Sequence, residues 1–367
     1  MKRAHILLVD DDPGLLHVLV RLLSKRYDVT PVAAPSAALA EIERSPFDLA
    51  LLDLRMPEMS GFELLTRLKS RRPDLDVIIM TGSVNELDAQ LVRAIRAEAY
   101  YFIQKPFDRE VLQTLVERCV ELRRLREENR VHTQRLEREL DVARRFQLSL
   151  LPPEHARVGE LEIWARYLPR EELCGDYYDY AACEGGACVI VADVSGHGAS
   201  AAMLTGVVKA AFQAGVADDF DPLAVARRVA QGVRPFGHSR FVTLFCARLR
   251  PPTGVMEYVN AGHPPAVLWR DSALPRLLES NGPLIGSVIP GEEWTCDTVR
   301  IQRGERLLAI TDGLLEAEGR RVTPADVAEL AVRLDAGTAL LDGLSALVDQ
   351  PGVRVEDDVT LLAVSAS

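Results

Sequence analysis

Short apolar runs alternate with helical patterns through the first third of the chain. The runs are His5–Val9, Val29–Ala33, Leu49–Leu52, Val77–Met80 and Tyr100–Ile103. Between them, Leu15–Leu23, Ala37–Ile42, Phe62–Leu68 and Leu87–Ile95 carry apolar residues at steps of three and four. Such a βα repeat predicts a doubly wound α/β domain, a parallel sheet covered on both faces, with its crevice at the carboxyl ends of the strands. From Asp108 to Leu150 there is neither proline nor glycine, and apolar residues recur at Leu112, Leu115, Cys119, Leu122, Leu125, Leu136, Leu140, Ala143, Phe146 and Leu150. The pattern predicts one long helix or two in tandem, with a narrow seam interrupted at Asn129 and His132 and a stop at Pro152-Pro153. Two readings of the seam stay open: a solvated linker, or a parallel coiled coil with a second copy. Beyond residue 160, strand-like runs dominate: Leu161–Ala165, Cys188–Ala192, Thr243–Ala247, Ala266–Trp269, Leu307–Ile310 and Val359–Val364. Helical stretches at Ala199–Gly215, Pro222–Val233 and Pro324–Leu334 lie among them, which predicts an α+β sheet sandwich. The chain is therefore expected to be multidomain, with boundaries at 4–122, 123–152 (the linker helix) and 153–367.

Composition narrows the partners. The net charge of −11 argues against nucleic acid, whose phosphates require a concentrated basic face. No run approaches the roughly 20 apolar residues of a membrane span, and the basic Met1-Lys2-Arg3 start is followed by too short an apolar stretch for a secretory signal. Six cysteines without a Cys-x-x-Cys pair read as buried small hydrophobes in a reducing compartment. The expected location is cytoplasmic, with no membrane partner.

Acids gather at the ends of the predicted strands. Asp10 and Asp11 end the first run, Asp53 ends the third, and Lys105 follows the fifth. Any one acid could be a helix N-cap, but three carboxylates on one sheet edge repel unless a hard divalent cation joins them. With Leu52-Asp53-Leu54-Arg55-Met56-Pro57, Gly61, Met80-Thr81-Gly82 and Lys105-Pro106-Phe107, residues 4–122 resemble the response-regulator receiver family, a flavodoxin-like fold. The resemblance implies that Asp53 accepts a phosphoryl group from a sensor histidine kinase and that Mg²⁺ is held by Asp10, Asp11 and Asp53. It also implies that Thr81 and Lys105 bind the phosphoryl oxygens and that Phe102 is the switch aromatic. The stretch from Thr81 to Lys105 is about two residues longer than the family's usual spacing, and Ala97-Glu98-Ala99 replaces its Gly-Ala step.

The second half brings acids at Asp176 and Asp179, at Asp193 within Ala192-Asp193-Val194-Ser195-Gly196-His197-Gly198, at Thr311-Asp312-Gly313, and at Glu356-Asp357-Asp358. Singly, Thr-Asp-Gly is a turn, Asp193 opens a strand-to-helix loop, and His197 is a hydrogen-bonded loop histidine. Together the acids predict a site for two oxygen-liganded cations, Mn²⁺ or Mg²⁺, which about 3.5–4 Å apart can clamp a phosphate for in-line attack. With Gln147-Leu148-Ser149-Leu150-Leu151-Pro152, Asn260-Ala261-Gly262-His263-Pro264, Gly282-Pro283-Leu284 and Asp357-Asp358-Val359-Thr360, the segment resembles the PP2C-type metal-dependent phosphatases, specifically the SpoIIE/RsbU-like branch of sigma-factor partner switching. That resemblance implies a PP2C-like β-sandwich flanked by helices. Asp193 would bridge both metals and the Val194 carbonyl would complete one sphere. Asp176 would serve the second metal, Asp312 and Asp357 the first, and these four acids form the catalytic set. His197, four residues after Asp193 rather than two, receives no general-acid role. Asn260 and His263 read as loop formers, and Cys174 stands where the branch has a glycine, crowding the loop of Asp176.

The expected function is a two-component response regulator whose Asp53 phosphorylation controls a protein serine/threonine phosphatase. By resemblance its substrate is a phosphorylated anti-sigma-factor antagonist, and the linker pairs two copies in a homodimer. The alternative is a non-catalytic adaptor, hinted at only by Cys174. A DNA-binding regulator would need a helix-turn-helix with a basic recognition helix, which the strand-rich acidic half does not offer.

Overall fold

His5–Val9 is buried along four of its five residues, as a strand covered on both faces must be. The computed structural model describes residues 3–82, 101–236, 240–270, 274–286, 293–316, 322–334, 337–348 and 357–366. The chain divides into two compact units, Met1–Leu136 and Glu137–Ser367.

In the first unit, β1 (His5–Val9), β2 (Asp28–Val32), β3 (Leu49–Asp53), β4 (Asp76–Thr81) and β5 (Tyr101–Gln104) form a parallel sheet in the order β2-β1-β3-β4-β5. This order is that of flavodoxin-like doubly wound folds, whose switch point lies between β1 and β3. Helices α1 (Pro13–Leu23) and α3 (Gly61–Arg71) start where the sequence provides side-chain caps, whereas α2 (Pro35–Arg44) follows Ala34 and starts at a proline. Asp12 accepts from the N–H groups of Gly14 and Leu15, and Ser60 accepts from Glu63. Leu64, Leu65, Leu68, Ala38 and Ile42 pack on one sheet face, with Leu16, Leu19 and Leu23 on the other. The predicted Leu87–Ile95 helix and the Ala97-Glu98-Ala99 departure lie outside the described residues.

The long helix is one element, α4 (Arg109–Leu150), not two in tandem. Leu112, Val116 and Cys119 are buried in the first unit's core. Arg123 pairs with Asp74 at 2.9 Å, and Arg126 pairs with Asp76 at 3.3 Å. From 124 to 142 every side chain is exposed, including Leu125, Val131, Leu136, Leu140 and Val142. Gln147, near the end of the helix, is buried in the second unit.

The second unit is a sandwich of two antiparallel sheets. Its elements are β6 (His155–Val158), β7 (Leu161–Leu168), β8 (Asp176–Cys183), β9 (Gly186–Val194), α5 (Ala199–Ala217), α6 (Pro222–Val233), β10 (Phe241–Arg250), β11 (Val255–Ala261), β12 (Ala266–Trp269), β13 (Arg276–Leu278), β14 (Ile285–Gly286), β15 (Asp297–Arg300), β16 (Arg306–Ile310), α7 (Pro324–Arg333), α8 (Thr338–Val348) and β17 (Val359–Ala366). One sheet runs β15-β11-β10-β9-β8, with β14 on β10; the other runs β13-β12-β16-β17-β7-β6. Inward residues such as Ile163, Val189, Val191, Phe245, Leu307 and Leu362 fill the space between the sheets. Helices α5 and α6 cover the outer face of the first sheet, and α7 and α8 cover that of the second. By length and composition α5 could cross a bilayer. Its Ala201, Leu204, Val208 and Phe212 are instead part of the buried core.

Candidate phosphoacceptor and metal sites

In the first unit the carboxyl ends of β1 and β3 bring Asp10 and Asp53 together, both buried. Lys105, just after β5, joins them: its Nζ donates to Asp10 Oδ2 at 2.7 Å and to Asp53 Oδ1. Each acid also accepts from a nearby backbone N–H, Asp10 from Asp12 at 3.0 Å and Asp53 from Arg55 at 2.8 Å. Burial lifts Asp10 above the usual carboxylate range against the pull of Lys105, and Asp53 adds to the rise. Burial also works to lower Lys105, but its bonds to the two acids outweigh this and raise it. Asp11 is exposed at the rim of the same edge. Thr81 is fully buried at the end of β4, and its carbonyl accepts from the Lys105 N–H at 2.6 Å. Phe102, half-buried on β5, packs against the sheet core. Gly61 is required here, because a Cβ would collide with the backbone carbonyl of Asp53. The acids are all-oxygen donors, and two are buried together against one ammonium, a set that fits a hard divalent ion.

In the second unit the β8–β9 pairing sets Asp176 directly opposite Asp193. Asp312 follows β16, and Asp357 precedes β17. These acids share one electrostatic field. Asp193 is pushed up to about 8, first by burial and then by Asp312, Asp357, Asp358 and Glu316. Asp312 rises to about 6 through burial, Asp357 and Glu316. Asp176 is wholly buried and raised by that burial and by Asp193, against the opposing hydroxyl of Thr360. Its Oδ2 accepts from Thr311 Oγ1 at 2.8 Å and Thr360 Oγ1 at 2.6 Å. Among the described residues, no three His, Cys, Asp or Glu side chains are already gathered into a cation cage. The donor set still fits divalent cations: Asp193 would hold its proton at neutral pH until a positive charge allowed it to ionise.

The backbone around these acids is tightly fitted. A Cβ on Gly175 would run into the Val194 carbonyl and sit 3.4 Å from Asp193 Oδ1. A Cβ on Gly313 would strike the Asp358 carbonyl. Sequence reasoning assigned no role to Asp358, which is buried and accepts from Gly175 N at 3.1 Å and Arg170 N at 2.9 Å. Thr311, Thr360 and Glu316 were also passed over. Their signal was adjacency: Thr311 and Thr360 flank candidate acids, and Glu316 lies one helical turn after Asp312. Glu356 lies outside the described residues.

Other expectations resolve locally. His197 is exposed and pairs with Glu171 at 3.1 Å. Asn260 is buried and bonds the His263 N–H, Pro264 O and Leu278 O, as a loop former does. His263 is buried beside Thr243 Oγ1 and is held down to about 3 by desolvation. Cys174 is clamped by Gln147: its N–H donates to Oε1 at 3.1 Å, and its carbonyl accepts from Nε2 at 2.6 Å. Burial raises its thiol to about 12.

Comparisons with known proteins divide the chain in the same way. The family model for the response regulator receiver domain matches residues 6–117, and that for Stage II sporulation protein E (SpoIIE) matches residues 184–367. The chain is 38% identical over 121 residues to the transcriptional regulatory protein GlrR of Escherichia coli, covering 33% of this chain and 27% of that one. It is 30% identical over 185 residues to the phosphoserine phosphatase RsbP of Bacillus subtilis, covering 49% of this chain and 45% of RsbP. The matches thus span less than half the length of either relative. Its fold matches the SiaA-PP2C domain of Pseudomonas aeruginosa with TM-score 0.55 at 21% identity, over 64% of this chain and 99% of that domain. The chain belongs to the SpoIIE family, with a PP2C-type domain preceded by a response-regulator receiver domain.

Proposed function

We propose that this protein is a metal-dependent serine/threonine phosphoprotein phosphatase whose activity is set by phosphorylation of Asp53. The observation that carries the reading is the shared field of Asp176, Asp193 and Asp312, whose carboxyls are raised by burial and by one another. Such a cluster is costly without cations and suited to two of them. Asp193 would serve both Mn²⁺ or Mg²⁺ ions, with the Val194 carbonyl beside it; Asp176 would serve the second ion, and Asp312 and Asp357 the first. When bound, the ions supply charge neutralisation for a phosphate in in-line displacement by water. The chain's own residues hold the ligands: Thr311 and Thr360 fix one oxygen of Asp176, and Asp358 fixes the Gly175 turn.

In the receiver, Asp53 is the phosphoacceptor and a sensor histidine kinase the donor. Asp10, Asp11 and Asp53 would hold Mg²⁺. Lys105 would follow the phosphoryl oxygens, Thr81 would bond another, and Phe102 would report the change. The link to the phosphatase is α4, whose Gln147 grips the backbone two residues before Asp176. The exposed seam of α4 is suited to pairing two copies, an arrangement that would let the receiver bias that grip. RsbP, a phosphoserine phosphatase, supports phosphoserine as the residue that is hydrolysed, with the serine oxygen leaving as a hydroxyl. The partner-switching branch supports a phosphorylated anti-sigma-factor antagonist as substrate.

The test is phosphate release from a phosphoserine protein with Mn²⁺, beside Asp193→Ala and Asp53→Asn. Loss with Asp193→Ala is expected, together with an Asp53→Asn protein that no longer responds to a phosphodonor. Turnover unaffected by Asp193→Ala would end the phosphatase reading, and an unchanged response in Asp53→Asn would end the coupling.

A further inference from the structure

At the end of the β8–β9 hairpin remote from Asp176 and Asp193, two cysteines share a face. Ala181 pairs with Cys188 and Cys183 with Gly186 across the two-residue turn Glu184-Gly185, so Cys183 and Cys188 are diagonal neighbours. Cys188 is fully buried, and its Sγ donates to Ala181 O at 3.4 Å; Cys183 is half-buried and reaches solvent. On the adjacent strand β10, Arg248 stands opposite Cys188. Its side chain is only 6% exposed. It pairs with Asp219 in the turn after α5, yet its Nε–H has no hydrogen-bond partner. Arg250, paired with Glu257, lies nearby with its own Nε unpartnered. The Cys183 thiol is lowered to about 7, chiefly by the neighbouring Cys188 thiol against desolvation, with Arg248 and Arg250 adding to the fall. A half-exposed thiol beside buried arginines is the environment that makes a cysteine reactive, whereas Cys174, Cys246 and Cys296 are held up by burial.

We infer that Cys183 is a peroxide-oxidisable thiolate, a modification site at the hairpin tip whose partners are Cys188 and Arg248. The thiolate attacks one oxygen of hydrogen peroxide. The S–O bond forms as the O–O bond breaks, OH stays on sulfur, and the departing hydroxide takes a solvent proton to become water. Sulfur loses the two electrons that the peroxide gains. The first product is the sulfenic acid, formed beside Cys188, its diagonal neighbour on the same face of the hairpin. Arg248, whose Nε–H is unpartnered, stands on the neighbouring strand opposite Cys188.

The experiment uses the full chain, hydrogen peroxide and dimedone, with mass mapping of every cysteine. A dimedone adduct at Cys183, absent in Cys183→Ser, is expected. Iodoacetamide should alkylate Cys183 with a pH midpoint near 7, and at neutral pH at least about tenfold faster than Cys174 or Cys246 in the same molecule. These internal controls need no variant to fold. Arg248→Lys should slow Cys183 while leaving the other cysteines unchanged. An adduct elsewhere, or a Cys183 rate equal to that of Cys174, overturns the inference.

Discussion

Replacing Thr360 by Val isolates what a single hydroxyl does for the metal site. Thr360 Oγ1 donates to Asp176 Oδ2 at 2.6 Å, and its backbone N–H separately bonds Thr311 Oγ1 at 2.8 Å. The substitution removes the first bond and keeps the second. A hydrogen bond to a charged acceptor is worth about 1.5–3 kcal/mol. The hydroxyl opposes the rise in Asp176's pKa, so its loss favours the protonated carboxyl and disfavours the ligand form. With tenfold in affinity for each 1.4 kcal/mol, the second Mn²⁺, the one Asp176 would serve, should bind roughly 10- to 100-fold less tightly. Thr311 still serves the same oxygen, which favours the lower end. Calorimetric titration of Mn²⁺ into wild type, Thr360→Val and Thr360→Ser measures this without turnover. Serine should restore most of the affinity. Valine binding within about twofold of wild type would mean that the hydroxyl does not hold Asp176 for a cation.

Three further outcomes are expected. In chelator, Asp193 carries a folded pKa of about 8 and Asp312 about 6, both above the ordinary 3.8, so the native state holds protons that the unfolded chain has released. The stability they contribute is complete below about pH 4 and is lost as pH rises toward about 8; melting of the metal-free protein should fall over that range, less steeply in Asp193→Asn, and a rise that Asp193 itself causes would refute the assignment. Gly175→Ala should cost about 1–3 kcal/mol and weaken metal binding, because its Cβ meets the Val194 carbonyl; unchanged melting and titration would show that the turn has slack. Leu136→Asp with Leu140→Asp should convert a dimer to a monomer in sedimentation, since both are exposed on α4; a wild type that sediments as a monomer at high concentration contradicts the pairing.

The receiver half was legible because the buried strands β1 and β3 are continuous apolar runs that lead straight into Asp10 and Asp53, as in Leu49–Asp53. In the sandwich, β8 reads Asp-Tyr-Tyr-Asp-Tyr-Ala-Ala-Cys and escaped notice, since polar Asp176 and Asp179 break its apolar pattern and find partners such as Thr311, Thr360, Tyr177 and Lys209 once the chain is folded. Helix α8 was missed too: Gly343 weakens its helical pattern, and that glycine lets Leu334 approach closely. The candidate acids could be picked from strand-end positions, but the residues that hold them could not. Asp358 looks like a duplicate of Asp357 until Gly175 and Arg170 are seen donating to it.

Setting Asp176 face to face with Asp193 also constrains how the chain can change length. A residue added to the body of either strand would turn one carboxylate through to the opposite side of the sheet, and two would carry it about 6.6 Å along the strand. Only matched additions on both arms, next to the Glu184-Gly185 turn, leave the two acids level. Length variation among proteins that keep this chemistry should therefore arise in balanced pairs here, while the connections on the far edge of the sandwich drift freely.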